Sequence, residues 1–197
     1  MDSHLLETRL QSARQCAPVL AGVKPSNLLI LEGVKPFEIL ELMDGTGLSF
    51  EYLYGGNGKH VWLVYWLEEL EAILEDPGNR NFLKGLGYRR FDGPGVFRHL
   101  KQRYEAYLCG GSAYPHELGV LLGYPLEDVA GFVKNKGKNY LYSGYWKVYK
   151  NAENAKRLFA LYRAAREEAE KLALEGKGLL EMIRRFSLGR ELSTAVH

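Results

Sequence analysis

The segment from Leu48 to Trp66 constrains this chain most. Two extended apolar runs, Leu48–Tyr54 and Lys59–Trp66, flank Gly55-Gly56-Asn57-Gly58. Asn-Gly between such runs is a hairpin signal, because the tight turn that matches strand twist needs positive φ at both central residues. In the first run Leu48, Phe50, Tyr52 and Tyr54 alternate onto one face. In the return run Val61-Trp62-Leu63-Val64-Tyr65-Trp66 is apolar on both faces, as a central strand must be. A central strand needs a second neighbour, and the short apolar run Asn27–Leu31 supplies one. The chain therefore contains a small, mainly antiparallel sheet.

The rest reads as helix. Leu6, Leu10, Ala13 and Ala17 predict a first helix capped at Ser3 and stopped near Cys16 by Pro18. Further helices are expected over Pro36–Met43, Leu67–Asp76, Asn79–Leu86, Gly95–Leu108, Pro115–Leu122 and Pro125–Asn135. Asn139–Lys150 is aromatic and extended. Asn151 then caps a long helix to about Glu175, and Gly178–Phe186 closes the fold. Helices and strands lack a βαβ rhythm, so the expectation is a single α+β domain over residues 1–189, a small sheet packed with several helices, and a loose tail over 190–197.

Composition enters as an exclusion. Among 197 residues, 46% hydrophobic and 25% charged side chains rule out a largely disordered chain, a collagen-like fibre or a disulfide scaffold. The net charge of +2 conceals a split. Residues 1–133 hold 12 basic and 17 acidic residues, and residues 134–197 hold 14 and 7. The start carries no export signal, and the longest apolar run, Val61–Leu67, is far short of the ~20 residues that span a bilayer. Cys16 and Cys109 lack redox-pair or zinc-knuckle spacing. A cytoplasmic protein with reduced thiols and no membrane association is expected.

Three stretches stand out together: Cys16-Ala17-Pro18-Val19-Leu20-Ala21-Gly22-Val23-Lys24; Pro115-His116-Glu117-Leu118-Gly119-Val120-Leu121-Leu122-Gly123-Tyr124-Pro125-Leu126-Glu127-Asp128-Val129; and Gly144-Tyr145-Trp146-Lys147-Val148-Tyr149. In order and spacing they resemble an uncharacterised bacterial family, classed as a domain of unknown function and frequent in anaerobic Firmicutes. The resemblance runs from the first helix to about Tyr162. Tyr52-Leu53-Tyr54-Gly55-Gly56 departs from it, since the family often carries a cysteine-bearing hairpin there. The resemblance implies a small intracellular protein and no particular activity.

The candidate chemistry lies in the same stretches. Cys16 is a candidate nucleophile, but at a helix C-terminus the dipole disfavours thiolate, so a small buried hydrophobe is the preferred reading. His116 and Glu117 open a helix. A His-Glu-x-x-His zinc site would need histidine at position 120, which is Val120, so no metal site is expected, and capping is preferred to general-base chemistry. His60 reads as a core or rim histidine. Residues 117–135 have the apolar spacing of a helix-turn-helix, yet Leu126-Glu127-Asp128 would repel phosphate. Lys134 to Lys150 holds five lysines and five aromatics; a strand pair with solvated edge lysines is the preferred reading, and the stretch is also the richest local signal for binding an anion. P-loop, dinucleotide-fold and hydrolase-elbow motifs are absent, and no cofactor is indicated.

These readings favour an accessory protein binding a small anionic ligand or a protein partner. Lys24, His116, Glu117, Tyr145 and Lys147 are the ligand candidates, and Cys16, His116 and Glu117 the catalytic ones. A thiol- or metal-dependent enzyme using Cys16 with His116 is the alternative. Nucleic-acid binding through residues 118–150 is a further alternative and is not the expectation.

Overall fold

The computed structural model describes residues 3–35 and 37–194. The expected cap at Ser3 rests on a side chain outside the described set. So does Pro36, expected to open the second helix. The chain divides into two compact units, one of residues up to Trp66 with those from Leu161 on, the other Leu67–Ala160.

The first unit is built on the hairpin. β1 (Ser26–Glu32), β2 (Ser49–Gly56) and β3 (Lys59–Tyr65) form an antiparallel sheet in the order β1-β3-β2. Asn57 and Gly58 take φ of 53° and 74°, the positive values the turn demands. In β3, Trp62 and Leu63 point to opposite faces and both are buried, as expected for the central strand. Between Tyr52 and Tyr54 the register shifts, so Tyr52 faces Trp62 while Tyr54 faces Val61. This bulge at Leu53 turns Tyr54 away from the Tyr52 face, against the simple alternation.

α1 (Ser3–Leu20) lays Cys16, Ala17, Val19 and Leu20 against Leu29, Leu31, Trp62 and Val64 in one buried cluster. The helix continues past Cys16 because Pro18 falls in its last turn, where the following amides still find Ala17, Pro18 and Val19 carbonyls. Gln15 pairs its side-chain amide with both Ile30 N–H and Ile30 C=O at 2.8 Å, covering the edge of β1 as a neighbouring strand would. α2 (Glu38–Met43) links β1 to β2. α8 (Ala152–Leu174) contributes residues to each unit, and Ala165, Ala169, Leu172 and Ala173 from its second half complete this core. α9 (Leu179–Thr194) runs through Gly189, a residue that costs a helix only about 1 kcal/mol. It thus occupies part of the segment expected as a tail, and residues 195–197 lie outside the described set.

The second unit contains α3 (Leu67–Glu75), α4 (Pro77–Gly85), α5 (Gly93–Leu108), α6 (Leu118–Leu121) and α7 (Leu126–Lys134). Its two-residue strands β4 (Tyr142–Ser143) and β5 (Lys147–Val148) pair antiparallel. Together the units make an α+β fold. The aromatic segment is held by one buried carboxylate. Asp128 accepts the Trp146 indole N–H at 2.7 Å and the backbone N–H groups of Tyr149 and Lys150 at 2.7 and 3.0 Å. Phe159, from the first half of α8, meets Trp146 edge-on at 4.5 Å. Gly144 permits that approach, since a Cβ there would stand 2.3 Å from the Phe159 ring.

Candidate functional site

Cys16 and Lys24 lie in the first unit, and His116, Glu117, Tyr145 and Lys147 in the second. After α1 the chain turns as Val23 and Lys24 both donate N–H to Pro18 C=O, at 2.9 and 3.1 Å. The turn carries Lys24 inward. Its side chain is only 5% exposed and its ammonium donates to Asn27 Oδ1. Burial pulls the Lys24 amine down to about 7, and the nearby Cys16 opposes the fall. Burial likewise pushes the Cys16 thiol up to about 12. Cys16 therefore stays protonated at neutral pH and supplies no thiolate nucleophile. Two expected candidates do meet here, but as buried groups with almost no surface to offer a ligand.

In the second unit, residues 115–117 form a turn rather than helix, and α6 starts at Leu118. Glu117 makes no capping bond. Its carboxylate, 1% exposed, takes Arg103 Nε and also Nη2 at 3.3 Å, and accepts the Tyr88 hydroxyl at 3.2 Å. A buried carboxylate needs such partners. Burial is the leading cause that raises the Tyr88 phenol, reinforced by the Glu117 charge, so Tyr88 remains a donor. Glu117 is thereby committed inside the fold. His116 points elsewhere. It packs on Tyr114 and on Phe132, with ring centroids at 5.4 and 4.9 Å. Burial lowers its pKa below the ordinary histidine value, with Glu117 opposing and Arg103 adding to the fall, so the imidazole is neutral at pH 7.

Lys147 lies beyond Phe132. Its ammonium donates to Gly137 C=O at 2.7 Å and sits 5.7 Å from the Phe132 ring centroid and 4.9 Å from that of Tyr140. His116 and Lys147 thus share Phe132 as a common wall. Tyr145, the remaining ligand candidate, is partly exposed and tilts against Phe159 at 5.4 Å.

From His116 the aromatic contacts run back through Tyr114 to Tyr107 at 5.3 Å and Tyr104 at 6.2 Å. Burial and neighbouring phenols push the Tyr114 hydroxyl up to about 12. The buried stripe of α5 is Val96, Phe97 and Leu100, and Tyr107 and Leu108 at its end are exposed.

A family model matches residues 13–183, which spans all three of the motif-dense stretches and both sets of clustered side chains. The chain belongs to that family, described as protein of unknown function (DUF3793). No curated protein and no solved structure matches. The family description assigns no chemistry, so the side chains themselves carry the functional argument.

Further side chains that shape these clusters carry little local signal in the sequence. Arg103 and Tyr88 hold Glu117 from 14 and 29 positions away. Phe132 and Tyr140 flank Lys147; the aromatic richness of Lys134–Lys150 signalled Tyr140, whereas Phe132 lies outside that stretch. An open depression of about 400 Å³ lined by Lys84, Gly87, Tyr88, Arg89 and Phe91 had no signal beyond adjacent basic residues. Among the described residues no group of three or more His, Cys, Asp or Glu side chains is placed to hold a metal ion. No described helix is long and apolar enough to cross a membrane.

Proposed function

We propose that this protein binds a small anionic ligand on its second unit, at the face where His116, Phe132, Tyr140 and Lys147 meet. The observation that supports the reading is the state of Lys147. Its ammonium is oriented by the Gly137 carbonyl and two ring faces, and among the described residues it has no carboxylate in ion-pairing range. A positioned, half-buried and unneutralised charge loses less freedom on meeting an anion than a mobile surface lysine does. Lys134, at the end of α7, and Lys136 and Lys138, on the turn that follows it, add positive charge. His116 offers a neutral ring nitrogen for a hydrogen bond. Lys24 and Glu117 have no part in this face, because each is occupied within the fold.

The reading favours binding over catalysis. Cys16 is protonated and buried, and the carboxylate nearest His116 in sequence is locked by Arg103. Calorimetric titration with inorganic phosphate tests it. The expected result is saturable one-site binding that weakens at least tenfold in Lys147→Met, with the circular dichroism spectrum unchanged. Equal binding by the variant and the parent protein overturns the assignment.

A further inference from the structure

The face around Lys147 also constrains the rest of the ligand, beyond its negative charge. Lys147 is flanked by rings, and the ring contacts continue without a break from Phe132 through His116 and Tyr114 to Tyr107 and Tyr104. Tyr107, at one end of this row, is 40% exposed, and Tyr104, Tyr114, His116 and Phe132 are half-buried; Tyr140, joined to Phe132 through the Lys147 ammonium, is 45% exposed. Exposed ring faces next to an oriented cation suit a ligand that presents both an anion and a flat π-system.

The charge is not spread along the row. Lys134, Lys136, Lys138 and Lys147 all belong to the end that carries Phe132 and Tyr140, and none has a carboxylate in ion-pairing range among the described residues. At the tyrosine end, Arg103 is already taken by Glu117. A single strand of nucleic acid would need cations all along its backbone. One phosphate group attached to one planar base needs them at a single end.

We infer that the anion bound at this face is a mononucleotide, with its phosphate on Lys147 and the neighbouring turn lysines and its base against the exposed ring of Tyr140. This rests on the anion-binding reading above and goes further by naming the ligand class. Its affinity has two sources that can be separated. Lys147 and the turn lysines provide for the phosphate, and the Tyr140 ring provides for the base.

The test uses adenosine 5′-monophosphate, inorganic phosphate, adenosine and a single-stranded oligoadenylate as probes in calorimetric titrations of the full chain. The nucleotide is expected to bind at least tenfold tighter than phosphate or adenosine. Tyr140→Ala, at an exposed position, removes one of the rings beside Lys147 and is expected to weaken the nucleotide about tenfold more than it weakens phosphate. Lys147→Met is expected to weaken both. Thermal melts of each variant establish that it is folded. If phosphate binds and the nucleotide binds no tighter, or if Tyr140→Ala weakens the nucleotide no more than it weakens phosphate, the nucleotide inference fails and the anion reading stands. If neither phosphate nor nucleotide binds, both fail. Oligonucleotide binding far tighter than the mononucleotide, with high salt sensitivity, overturns the mononucleotide in favour of a strand.

Discussion

Replacing Lys24 with methionine tests the first unit most sharply. The Lys24 amine falls from 10.5 to about 7 because it is buried. That gap corresponds to a penalty of roughly 5 kcal/mol for holding the charged form inside the fold. Between pH 7 and 10.5 the unfolded chain binds this proton and the folded chain does not, so stability rises with pH at about 1.4 kcal/mol per pH unit. Below pH 7 both states are protonated and the penalty is constant. Cys16 acts in the opposite direction. Its thiol ionises near 9.0 when unfolded and is held protonated to about 12 when folded, so its contribution to stability falls above pH 9. The pair therefore predicts stability that climbs from pH 7 to 9 and then levels off. Urea unfolding followed by circular dichroism at pH 7, 8 and 9 reads this directly. Over that range Lys24 accounts for a gain of about 2 kcal/mol in the parent protein, and Lys24→Met lacks it. At pH 7 the variant should also be more stable by about 2 kcal/mol or more, after a loss of about 1–3 kcal/mol for leaving Asn27 Oδ1 without its donor. Identical pH slopes in the two proteins, or a variant less stable at every pH, would refute the reasoning.

Asp128→Asn turns an acceptor toward three N–H groups into one that must also present a donor, and it should destabilise the protein by about 2–4 kcal/mol in chemical denaturation while altering Trp146 fluorescence. Glu117→Gln should cost about 3 kcal/mol by stranding the Arg103 guanidinium, whereas the double change Glu117→Leu with Arg103→Met should recover most of that loss. Under native conditions a thiol reagent should label Cys109 and spare Cys16, which should react only after unfolding; two equally fast thiols would contradict the burial of Cys16.

The sheet was legible because its signals are local. Asn57-Gly58 set the turn, and a run apolar on both faces announced β3 as central. The bulge at Leu53 was not legible, because one extra residue in a strand leaves no compositional trace, and it moves Tyr54 to the other face. Pro18 looked like a stop for α1, yet in the last turn its missing N–H forfeits a single bond, the one Arg14 C=O would accept, and the amides that follow still bond back to Ala17, Pro18 and Val19. Charge was visible and its direction was not. Asp128 reads in the sequence as a charge that would repel phosphate and is a buried clamp on the aromatic segment. Glu117 seemed a helix-start charge and is bound to an arginine on another helix. Both errors share a cause: a carboxylate's partner is chosen by tertiary packing, which spacing along the chain does not encode. Lys147 was singled out by its motif and indeed stands among rings, but Phe132 could be recognised as its neighbour only in three dimensions.

Backbone chemical-shift mapping during addition of inorganic phosphate tests the central claim most directly. The account predicts shifts that saturate and concentrate at residues 114–117, 132–140 and 147 of the second unit, and that vanish in Lys147→Met. Saturating shifts centred instead on residues 15–27 of the first unit, or no shifts at millimolar phosphate, would contradict it.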